Sequence, residues 1–551
     1  MIDLYFLLMT NKTPLHLPVE SVYILYKLHQ ANFQGYLVGG AVRDLLLNSF
    51  DNTSTGSPTV TDYDFTTNAI PEQIQQIFPN SFYENKFGTV SISYQHLVEQ
   101  MNDEGFVLSE KNIKNQLNQS QEKSTDSKII DIARATKIHS SLDSTENSLK
   151  SKSQLEPPAF EITTYRSDGQ YLDGRRPESV SWGKQIEEDL NRRDFTINAM
   201  AIGLKQDFLE KLFNQHLGQV DPLVLDDQYL LVDLHGGLSD LQHKIIRTVG
   251  EPNQRFHEDA LRMLRAIRMA VQLEMQIDPS SYQAILTNSQ LITKVSQERI
   301  ADELLKMLSS NWPKQAIELL DKTGLLPLIL PELIATKGVE QAGHHTTDVW
   351  QHSLDSLQNC PSKDPIVRLA TLLHDIAKPN TQQFQNDTIS FYNHEILGSR
   401  IASNVGKRLR LSKNDLQRLF LLVRYHMFHY QPENSDASIR RLMRKVGLEN
   451  IDDILALREG DRLGSGAAKT SWRLEELKER MIEQLHQPMD VTDLAIDGHM
   501  LMAELGLKPG PILGKLLNQL FEIVLEKPEA NQRHTLLEMA KTLLKQEDHT
   551  G

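Results

Sequence analysis

YLVGGAVRD, at residues 36–44, is the most informative stretch of this 551-residue chain. A short apolar run ends in Gly39 and Gly40, and a glycine pair lets the backbone approach a phosphate closely. Arg43 follows at the start of an amphipathic helical pattern, where its charge is ready for an anionic partner. A glycine-containing turn is most often only a turn, so the stretch needs a second signal before it predicts a phosphate site.

The second signal is DYD at residues 62–64, shortly downstream. Asp62 and Asp64 stand at i and i+2, so on a strand their carboxylates point from the same face. Their separation suits the binding of one or two Mg²⁺ ions. The DxD pattern is also common by itself, but the two stretches together indicate nucleotidyl transfer.

Composition is that of an ordinary globular protein of several domains, with 39% hydrophobic and 24% charged residues. A single cysteine, Cys360, excludes a disulfide framework and is typical of a reducing compartment. Residues 1–9 are apolar but carry Asp3 and no basic residue, so they do not predict a signal peptide. No apolar run reaches the length of a membrane span. These features predict a cytoplasmic protein.

The net charge of −15 argues mildly against a nucleic-acid partner, but basic residues cluster at 401–450. That segment holds ten Lys and Arg residues (Lys407, Arg408, Arg410, Lys413, Arg418, Arg424, Arg440, Arg441, Arg444, Lys445) against four acidic ones (Asp415, Glu433, Asp436, Glu449). The excess of positive charge could supply phosphate contacts. A solvated helical face explains it equally well, and the sequence leaves both interpretations open.

Short strand-like runs and helical patterns alternate over the first 245 residues, whereas the pattern after residue 250 is helical. The runs at 86–93 and 160–165 are predicted to pair as strands. Between them, about 100–157 is rich in Ser, Asn, Gln and Lys and lacks periodicity, which predicts a disordered insertion at a hairpin tip. A second, shorter insertion is predicted at about 205–230.

NRRDFTINAM at residues 191–200 places two arginines and an aspartate before an apolar run with a helical pattern. The forked donors of arginine suit a triphosphate, and Asp194 or Asn198 could accept a hydrogen bond from a ribose hydroxyl. Alone, the stretch is more often a helix start with a charged cap. DLHGGLSDL at residues 233–241 predicts a strand that ends in a tight structural turn.

HEDALRMLRAIR at residues 257–268 is predicted to be a helix with Asp259 and Arg262 on one face and Arg265 one turn further. A surface ion pair is the simple interpretation. A more specific interpretation is base recognition. A carboxylate that accepts beside a guanidinium that donates matches the Watson–Crick edges of cytosine and adenine. Uracil and guanine present the reverse pattern, and a buried polar site rejects such a mismatch strongly. Side chains could therefore select C and A without a nucleic-acid template.

In their order along the chain, these motifs resemble those of class II tRNA nucleotidyltransferases, the CCA-adding enzymes of the bacterial poly(A) polymerase/CCA superfamily. The resemblance rests on GGAVRD, DYD, TYRSDGQYLDGRRP, NRRDFTINAMA, DLHGGLSDL, HEDALRMLRAIR and SQERI, and it covers about 20–98 and 159–310. It implies an α+β multidomain protein. A polymerase-β-like nucleotidyltransferase head of mixed sheet and helices would be followed by an all-α neck, an HD domain and a helical tail.

The resemblance also implies a catalytic site. Asp62 and Asp64 would bind the Mg²⁺ ions that activate the tRNA 3′-hydroxyl and hold the leaving pyrophosphate. The nucleotide-binding residues would be Gly39, Gly40, Arg43, Arg193, Asp194, Asn198, Asp259, Arg262, Arg265 and Arg268. Of these, Asp259 and Arg262 match the base-selecting pair. The implied reaction is template-independent addition of C, C and A to the 3′ end of tRNA from CTP and ATP.

Related activities use nearly the same motifs. Enzymes that add only CC have a shortened flexible loop, whereas the loop residues are present here: Arg166, Asp168, Tyr171, Asp173, Arg175 and Arg176. An A-adding tRNA nucleotidyltransferase or a poly(A) polymerase would share almost every motif, and the poly(A) branch usually carries a basic, disordered carboxyl terminus that this sequence does not show. Full CCA addition is therefore the prediction, with A-only addition or polyadenylation as the alternative.

LLHDIAKP at residues 372–379 is predicted to place adjacent His and Asp side chains on a helix, where both reach one metal. One buried histidine is more often a packed core residue, but further groups of ligand type lie on separate predicted helices. Residues 344–465 resemble an HD domain, a helical metal-dependent phosphohydrolase fold.

The HD resemblance implies a central metal set of His352, His374, Asp375 and Asp461, with His394 and His426 as additional ligands or phosphate-facing groups. The metal would be a divalent transition ion. Hydrolysis of cyclic phosphates or nucleotides by this domain is a further alternative function.

The predicted domains are a head at 1–245, a neck at 246–343 that selects the nucleotide and binds tRNA, the HD domain at 344–465 and a tail at 466–551. In the tail, the LGLKPGP turn at 505–511 and the amphipathic helix after it also resemble bacterial CCA-adding proteins and imply a grip on the tRNA elbow. A helix-turn packing unit fits these residues equally well. The sequence predicts no oligomeric state.

Overall fold

The computed structural model describes residues 14–50, 63–83, 88–106, 159–168, 180–214, 223–225, 227–341, 347–385 and 388–548. These residues divide between a first compact unit that ends at residue 329 and a second that begins at residue 330. The division falls inside the predicted neck, and the four predicted domains stay predictions. The apolar start at 1–9 lies outside the described residues. None of the helices found in the described stretches is long and apolar enough to cross a membrane.

The strands of the described residues are numbered in chain order. They are β1 Leu15–Leu17, β2 Gly35–Val38, β3 Asp64–Thr67, β4 Phe82–Tyr83, β5 Thr89–Ser93, β6 Ala159–Thr164, β7 Arg166–Asp168, β8 Val180–Trp182, β9 Met200–Leu204, β10 Leu223–Leu225, β11 Tyr229–Asp233, β12 Ile245–Ile246, β13 Gln276–Ile277, β14 Gln383–Gln385 and β15 Thr388–Ser390. Except for β14 and β15, which form a hairpin in the second unit, they belong to the first unit.

A seven-stranded mixed sheet forms the centre of the first unit, in the order β11-β9-β2-β3-β6-β5-β4. β3 and β6 run parallel, and the other neighbours run antiparallel. The predicted pairing of 86–93 with 160–165 is confirmed, since β5 pairs with β6 from Thr89 opposite Thr163 to Ser93 opposite Ala159. The α+β fold class is likewise confirmed. Buried side chains of this layer, such as Leu37, Phe65 and Ile162, are 1% exposed or less.

The α-helices of the first unit surround this sheet and then continue without it. They are Val19–Gln30, Gly40–Phe50, Pro71–Ile77, Tyr94–Asp103, Ile186–Asn191, Gln206–Asn214, Gly237–Gln242, Pro252–Glu258, Leu261–Gln272, Pro279–Asn288, Gln297–Leu308, Pro313–Lys322 and Leu326–Ile329. Short 3₁₀ turns lie at Thr196–Asn198 and Ser289–Lys294. The helices after residue 250 confirm the predicted change to a helical pattern.

The second unit is helical apart from its one described hairpin. Its α-helices are Pro331–Ile334, Val349–Asn359, Pro365–Leu373, Lys378–Thr381, His394–Arg408, Lys413–Tyr425, Asp436–Val446, Ile451–Gly464, Trp472–Gln484, Gly498–Leu505, Pro511–Glu526 and Arg533–Asp548, with 3₁₀ turns at Leu448–Asn450, Val491–Asp493 and Pro528–Ala530. The predicted LGLKPGP turn is present. Gly506 ends one helix at a φ of 67°, and Pro511 begins the next.

The predicted insertion at 205–230 is wrong for the part that the structure describes. Gln206–Asn214 is a helix, and its Phe213 stacks on Tyr26 with ring centroids 3.9 Å apart. The first residues of the predicted disordered insertion at 100–157 are also ordered, because the helix Tyr94–Asp103 includes them and the half-buried Phe106 lies 5.1 Å from Phe213, edge to face. Residues 107–157 lie outside the described part. The polar composition of the two segments gave a wrong prediction because one aromatic side chain packs each of them against the rest of the unit, Phe213 in the first and Phe106 in the second.

The predicted helical run after Arg193 is also wrong, since Thr196–Asn198 is a 3₁₀ turn that leads into β9. By contrast, the predicted strand and turn at 233–241 are confirmed. β11 ends at Asp233, whose carboxylate accepts the backbone N–H of Gly237 at 2.8 Å and of Leu238 at 2.9 Å. A Cβ on Gly237 would lie only 2.3 Å from the carbonyl oxygen of Thr196, so only glycine permits this approach.

Phe213→Ala should destabilise the first unit by about 3–5 kcal/mol, because it removes a buried aromatic ring from a packed cluster. The measurement is urea denaturation of the full chain. Phe82→Ala is the matched control, since Phe82 is 62% exposed and its loss should change the free energy of unfolding by less than about 0.5 kcal/mol. Equal effects of the two substitutions would mean that the Gln206–Asn214 helix is a peripheral insertion.

Candidate functional site

The register of β2 and β3 places Asp64 beside the glycine turn. Val38 pairs with Asp64, and Gly39 follows with a φ of 74°, a left-handed conformation that favours glycine. A Cβ at Gly39 would lie 3.0 Å from a guanidinium nitrogen of Arg193 and 3.6 Å from a carboxylate oxygen of Asp64. The turn therefore brings a carboxylate and an arginine to one point, which suits a cation and a phosphate. Asp62 lies outside the described residues.

A chain of hydrogen bonds connects the first helix turn after Gly39 with the helix Leu261–Gln272. Arg43 donates to the side-chain oxygen of Asn198 over 2.9 Å. The amide of Asn198 donates to one carboxylate oxygen of Asp194 over 3.4 Å, and Arg265 donates to the other over 2.7 Å. Four of the predicted nucleotide-binding residues are thus one connected group.

The Asp194 carboxylate is held inside this group. Besides Asn198 and Arg265 it accepts the backbone N–H of Phe195 at 2.9 Å. Burial alone would raise the pKa of Asp194, but Arg265, Arg262 and the Asn198 amide together outweigh burial and lower that pKa. The carboxylate is therefore ionised at neutral pH and already engaged, so the predicted hydrogen bond from a ribose hydroxyl to Asp194 would have to compete with these donors.

Asp189 was not predicted as a site residue, yet it holds both arginines of the NRRD stretch. Its side chain is fully buried, and its two oxygens pair with Arg192 and, at 3.0 Å, with Arg193. Burial tends to raise the pKa of Asp189, and the two arginines outweigh it and lower that pKa. The i+3 and i+4 spacing from Asp189 to Arg192 and Arg193 was visible in the sequence and could have indicated this role.

The predicted single helix through Asp259 and Arg262 is wrong. The helix Pro252–Glu258 ends at Asp259, which is extended at φ −147° and ψ 106°, and the next helix begins at Leu261. One oxygen of the Asp259 carboxylate accepts the backbone N–H of Leu261 over 3.0 Å, in the manner of an N-cap. A break of one or two residues within an apolar helical pattern leaves no clear mark in the sequence.

The two side chains of this pair also have different partners. The Asp259 carboxylate pairs with Arg299 over 2.6 Å, and Arg262 pairs with Glu258 over 2.6 Å. Arg262 additionally donates to the backbone carbonyl of Arg255 over 3.1 Å and is 8% exposed. The simple interpretation, an ion pair between Asp259 and Arg262 themselves, is not what the structure has. Each group is fixed by another residue, Arg299 or Glu258, that lies in a quoted motif but had no role assigned from the sequence.

Arg268, another predicted nucleotide contact, pairs with Glu303 over 2.6 Å and donates to Gln272 over 3.0 Å. Glu303 is 4% exposed. Arg268 therefore joins two helices of the first unit, Leu261–Gln272 and Gln297–Leu308. A nucleotide contact by this residue stays a prediction.

The predicted flexible loop is described only at its base. Arg166 and Asp168 begin and end β7, which forms a hairpin with β8 in which Arg166 lies opposite Trp182. The other loop residues, Tyr171, Asp173, Arg175 and Arg176, lie outside the described residues.

In the second unit, the six predicted metal ligands come together in two groups of three. What we call the first triad is His352, His374 and Asp461, and the second triad is Asp375, His394 and His426. The ligand atoms within each triad lie within 4.8 Å of one another. The predicted helical position of the HD pair is wrong, because the helix Pro365–Leu373 ends just before it and His374 and Asp375 lie in the following turn.

Three of the four histidines are oriented by backbone carbonyls. The Nδ1 atoms of His374, His394 and His426 lie 2.7, 2.8 and 2.8 Å from carbonyl oxygens three residues before them. A carbonyl can only accept, so Nδ1 carries the proton and Nε2 presents its lone pair to the cluster when the ring is neutral. This outer-shell arrangement is typical of metal-binding histidine.

Burial and neighbouring charges strongly shift protonation in the cluster. Burial alone would raise the pKa of Asp375, but the charges of His374 and Lys378 outweigh it and hold that pKa well below its usual range. Burial lowers the pKa of His426 to about 3. Burial also lowers the pKa of His374, but Asp375 and Asp461 outweigh it and raise that pKa to about 10. A metal ion at His374 would therefore displace a proton.

A cleft with a volume of about 860 Å³ opens onto the two triads. Its lining includes three cationic side chains, Lys378, Arg458 and Arg462, and two aromatic ones, Phe391 and Tyr392. Tyr392 is 71% exposed. Positive charge and an aromatic face next to metal ligands fit a phosphate ester that carries a ring.

The basic cluster at 401–450 is largely paired within the second unit. Its carboxylate partners are Glu332 for Arg408, Asp364 and Asp453 for Arg418, Glu395 for Arg424, Glu526 for Arg441 and Glu522 for Arg444. Arg440 donates to the carbonyl of Leu525 over 2.7 Å. These contacts favour the interpretation of the cluster as a charged helical surface over that of a phosphate-binding one.

The first unit combines a mixed sheet and a glycine turn with an adjoining carboxylate and converging arginines. These features define a nucleotidyltransferase head. Residues 35–136 and 130–247 match the Poly A polymerase head domain. Residues 274–336 match the probable RNA and SrmB-binding site of polymerase A, and residues 402–540 match domain 2 of tRNA nucleotidyltransferases.

Curated relatives match this chain over most or all of its length. The CCA-adding enzyme of Ligilactobacillus salivarius is 27% identical, with 96% of this chain and 97% of the relative covered. The A-adding tRNA nucleotidyltransferase of Deinococcus radiodurans is 32% identical, with 61% of this chain and 75% of the relative covered. The chain belongs to the class II tRNA nucleotidyltransferases of the bacterial poly(A) polymerase/CCA superfamily.

Solved structures share the fold. The crystal structure of the Bacillus stearothermophilus CCA-adding enzyme in complex with CTP superposes with a TM-score of 0.59 at 23% identity, over 97% of this chain and 99% of that one. A CCA-adding enzyme in its apo form II superposes with a TM-score of 0.52 at 17% identity, over 95% of this chain and 94% of that one.

Proposed function

We propose that this protein adds C, C and A to the 3′ end of tRNA from CTP and ATP, without a template and with release of pyrophosphate. The observation that carries the proposal is the convergence of Asp64, Arg193 and Arg43 around the glycine turn. Full-length similarity to CCA-adding enzymes supports the same reaction. The proposal places the protein in the cytoplasm, with tRNA, CTP and ATP as its partners.

In the proposed reaction, the oxygen of the tRNA 3′-hydroxyl forms a bond to the α-phosphorus, and the bond from that phosphorus to the oxygen of pyrophosphate breaks. Asp62 and Asp64 would hold Mg²⁺, which would favour ionisation of the hydroxyl and balance the charge of the pyrophosphate. Arg193 would contact the triphosphate, with its guanidinium fixed by Asp189. The backbone at Gly39 and Gly40 would allow close approach of the phosphates.

Base selection would rest on Asp259 and Arg262, with Arg299 and Glu258 as positioning residues. Asp259 accepts from Arg299 through one oxygen and from the backbone N–H of Leu261 through the other. Arg262 donates to Glu258 and to the carbonyls of Arg255 and Arg192. A base would use the second lone pairs of the carboxylate and the remaining guanidinium N–H groups. An exocyclic amino group beside a bare ring nitrogen satisfies such a pair, whereas a carbonyl beside an N–H leaves both side chains unpaired.

Incubation with tRNA that ends at the discriminator base tests the proposed activity. CTP alone should add two nucleotides, ATP alone none, and both together three. Asp64→Ala should abolish addition and retain tRNA binding in a filter assay, because the carboxylate would bind the catalytic Mg²⁺ and not the body of the tRNA. Asp207→Ala, which changes an exposed carboxylate, is the matched control and should add nucleotides at the wild-type rate.

Other product patterns identify the alternatives. An A-adding enzyme, such as the Deinococcus radiodurans relative, would extend only tRNA that already ends in CC, and by one nucleotide. Long A-tails on unrelated RNA would indicate a poly(A) polymerase. Either result contradicts the proposed CCA addition.

Arg299→Gln should loosen base choice as Asp259→Ala does, since both disturb the carboxylate that accepts from an amino group. The expected change is a rise of about tenfold or more in UTP relative to CTP incorporation, the effect of losing about 1.4 kcal/mol of discrimination. Single-turnover addition with each nucleotide measures it. Lys294→Gln, an exposed cation nearby in sequence, is the control. An unchanged UTP-to-CTP ratio in both Arg299→Gln and Asp259→Ala would refute side-chain base selection.

We further propose that the second unit contains an HD-type centre for a divalent transition metal, with hydrolysis of phosphate esters as a second candidate activity. The ligand set of imidazoles and carboxylates suits such an ion. Lys378, Arg458 and Arg462 line the adjacent cleft and would face the phosphate. Water would supply the new P–O bond, and the alcohol would leave with a proton.

Hydrolysis of 2′,3′-cyclic nucleotides with added Mn²⁺ or Ni²⁺ checks the candidate activity. Wild type should release product, and His374→Ala should lose at least about 90% of the rate because it removes a metal ligand. His429→Ala, an exposed histidine nearby in sequence, should retain it. Equal rates in wild type and His374→Ala would leave the cluster a structural role.

A further inference from the structure

Two arginine side chains close the carboxyl end of the helix Ile186–Asn191. The last carbonyls of a helix have no partners inside it. Here Arg255 donates to the carbonyl oxygen of Asn191, and Arg262 donates to that of Arg192 over 3.4 Å. Both arginines come from helices that follow later in the chain. Their positive charge suits the negative end of a helix dipole.

The same two guanidinium groups share one carboxylate oxygen. Oε2 of Glu258 lies 3.0 Å from Nη1 of Arg255 and 2.6 Å from Nη1 of Arg262. Arg255 uses its Nε–H as well, since it donates to the carbonyl of Val249 over 2.7 Å. The side chains of Arg255 and Glu258 are each 18% exposed, so water competes weakly for these bonds. Arg255 therefore joins three parts of the first unit: the helix end at Asn191, the backbone at Val249 and the carboxylate beside the proposed base-selecting pair.

The helix Ile186–Asn191 also holds Arg193. Its Asp189 accepts from Arg193 over 3.0 Å, and Arg193 is the proposed triphosphate contact beside Gly39. The residues at 189–192 therefore fix a triphosphate contact through one side chain and receive the two later arginines through two carbonyls. One short stretch of backbone connects the proposed triphosphate site with the proposed base site.

We infer that Arg255 is a positioning residue for base selection, which fixes the guanidinium of Arg262 relative to that of Arg193. A nucleotide anchored by its triphosphate presents its base at a set distance, so the selecting group must stand at the matching distance from the anchor. Loss of Arg255 would leave Glu258 with Arg262 as its one cationic partner among the described residues. Arg262 would then follow Glu258 instead of the helix end. This role rests on the proposed CCA addition, with Arg262 as a base-selecting group.

Arginine suits this position because all three of its donor nitrogens are used. Nε meets Val249, Nη1 meets Glu258 and Nη2 meets Asn191. The planar guanidinium holds these donors in fixed directions, whereas the ammonium of lysine is a single point of charge. Arg255→Lys would keep an ion pair with Glu258 and lose the fixed directions. Its effect is therefore expected to fall between wild type and Arg255→Gln.

Addition of the first nucleotide to tRNA that ends at the discriminator base tests this role, with CTP and UTP compared. Arg255→Gln should lower the CTP-to-UTP ratio of kcat/KM by about tenfold or more, and Arg255→Lys by a smaller factor. Inorganic tripolyphosphate probes the triphosphate contacts alone. It should inhibit Arg255→Gln as strongly as wild type, because Asp189 still holds Arg193. Arg247→Gln, which removes ion pairs elsewhere in the same unit, is the matched control and should keep the wild-type ratio.

Three results would overturn the positioning role. One is an unchanged CTP-to-UTP ratio in Arg255→Gln when Asp259→Ala lowers it, which leaves the proposed base selection standing. Another is a parallel loss of tripolyphosphate inhibition and of melting temperature, since that marks a general structural effect. If Arg255→Gln does not fold, an unchanged ratio in folded Arg255→Lys decides against the role. A wild type that does not favour CTP over UTP would contradict the proposed function itself, and this role with it.

Discussion

The buried carboxylate of Asp194 is the contact on which the arrangement of the head depends. It receives Arg265 from one side and the amide of Asn198 from the other, and Asn198 in turn receives Arg43. The backbone reinforces this link, because the N–H of Val249 donates to the carbonyl of Asp194 over 3.1 Å. A charge in this position requires its partners, since an unpaired buried carboxylate costs several kcal/mol. The glycine turn and the helix Leu261–Gln272 are therefore fixed relative to each other.

The polar side chains around this contact are paired almost entirely with one another. Asp189 holds Arg193, and Arg299 holds Asp259. Such internal pairing orients each donor before a substrate arrives, so that little reorganisation is needed when charge develops. The histidine and carboxylate cluster of the second unit is arranged in the same way, because backbone carbonyls orient the rings of His374 and His426. In both units the proposed site residues are oriented by neighbouring side chains and carbonyls of the same unit.

Local patterns predicted the parts of the fold that short stretches specify. The glycine turn before a helix and the turn after Asp233 are confirmed, because each depends on neighbouring residues. The β5–β6 pair is also confirmed, although its two strands lie far apart in the sequence, because each strand carries its own local pattern. The pairing partners Glu258, Arg299 and Glu303 were missed. A Glu or Arg on a helix gives no sign of which distant charge it meets, and only the folded backbone brings Arg299 to Asp259 across 40 positions. The helix break at Asp259 was also missed. The apolar periodicity of the sequence continues across the break, so the capping contact at Asp259 leaves no mark in that pattern. Composition misled where one aromatic residue, Phe213, anchors a polar segment.

Hydrogen exchange, followed by mass spectrometry on Asp194→Asn, tests the central role of the buried carboxylate most directly. If Asp194 fixes the glycine turn to the helix Leu261–Gln272, protection should fall together in peptides that contain residues 40–50, 194–199 and 261–272, and Arg265→Gln should produce the same pattern. Loss of protection confined to 194–199, with the helix Leu261–Gln272 as protected as in wild type, would contradict the account.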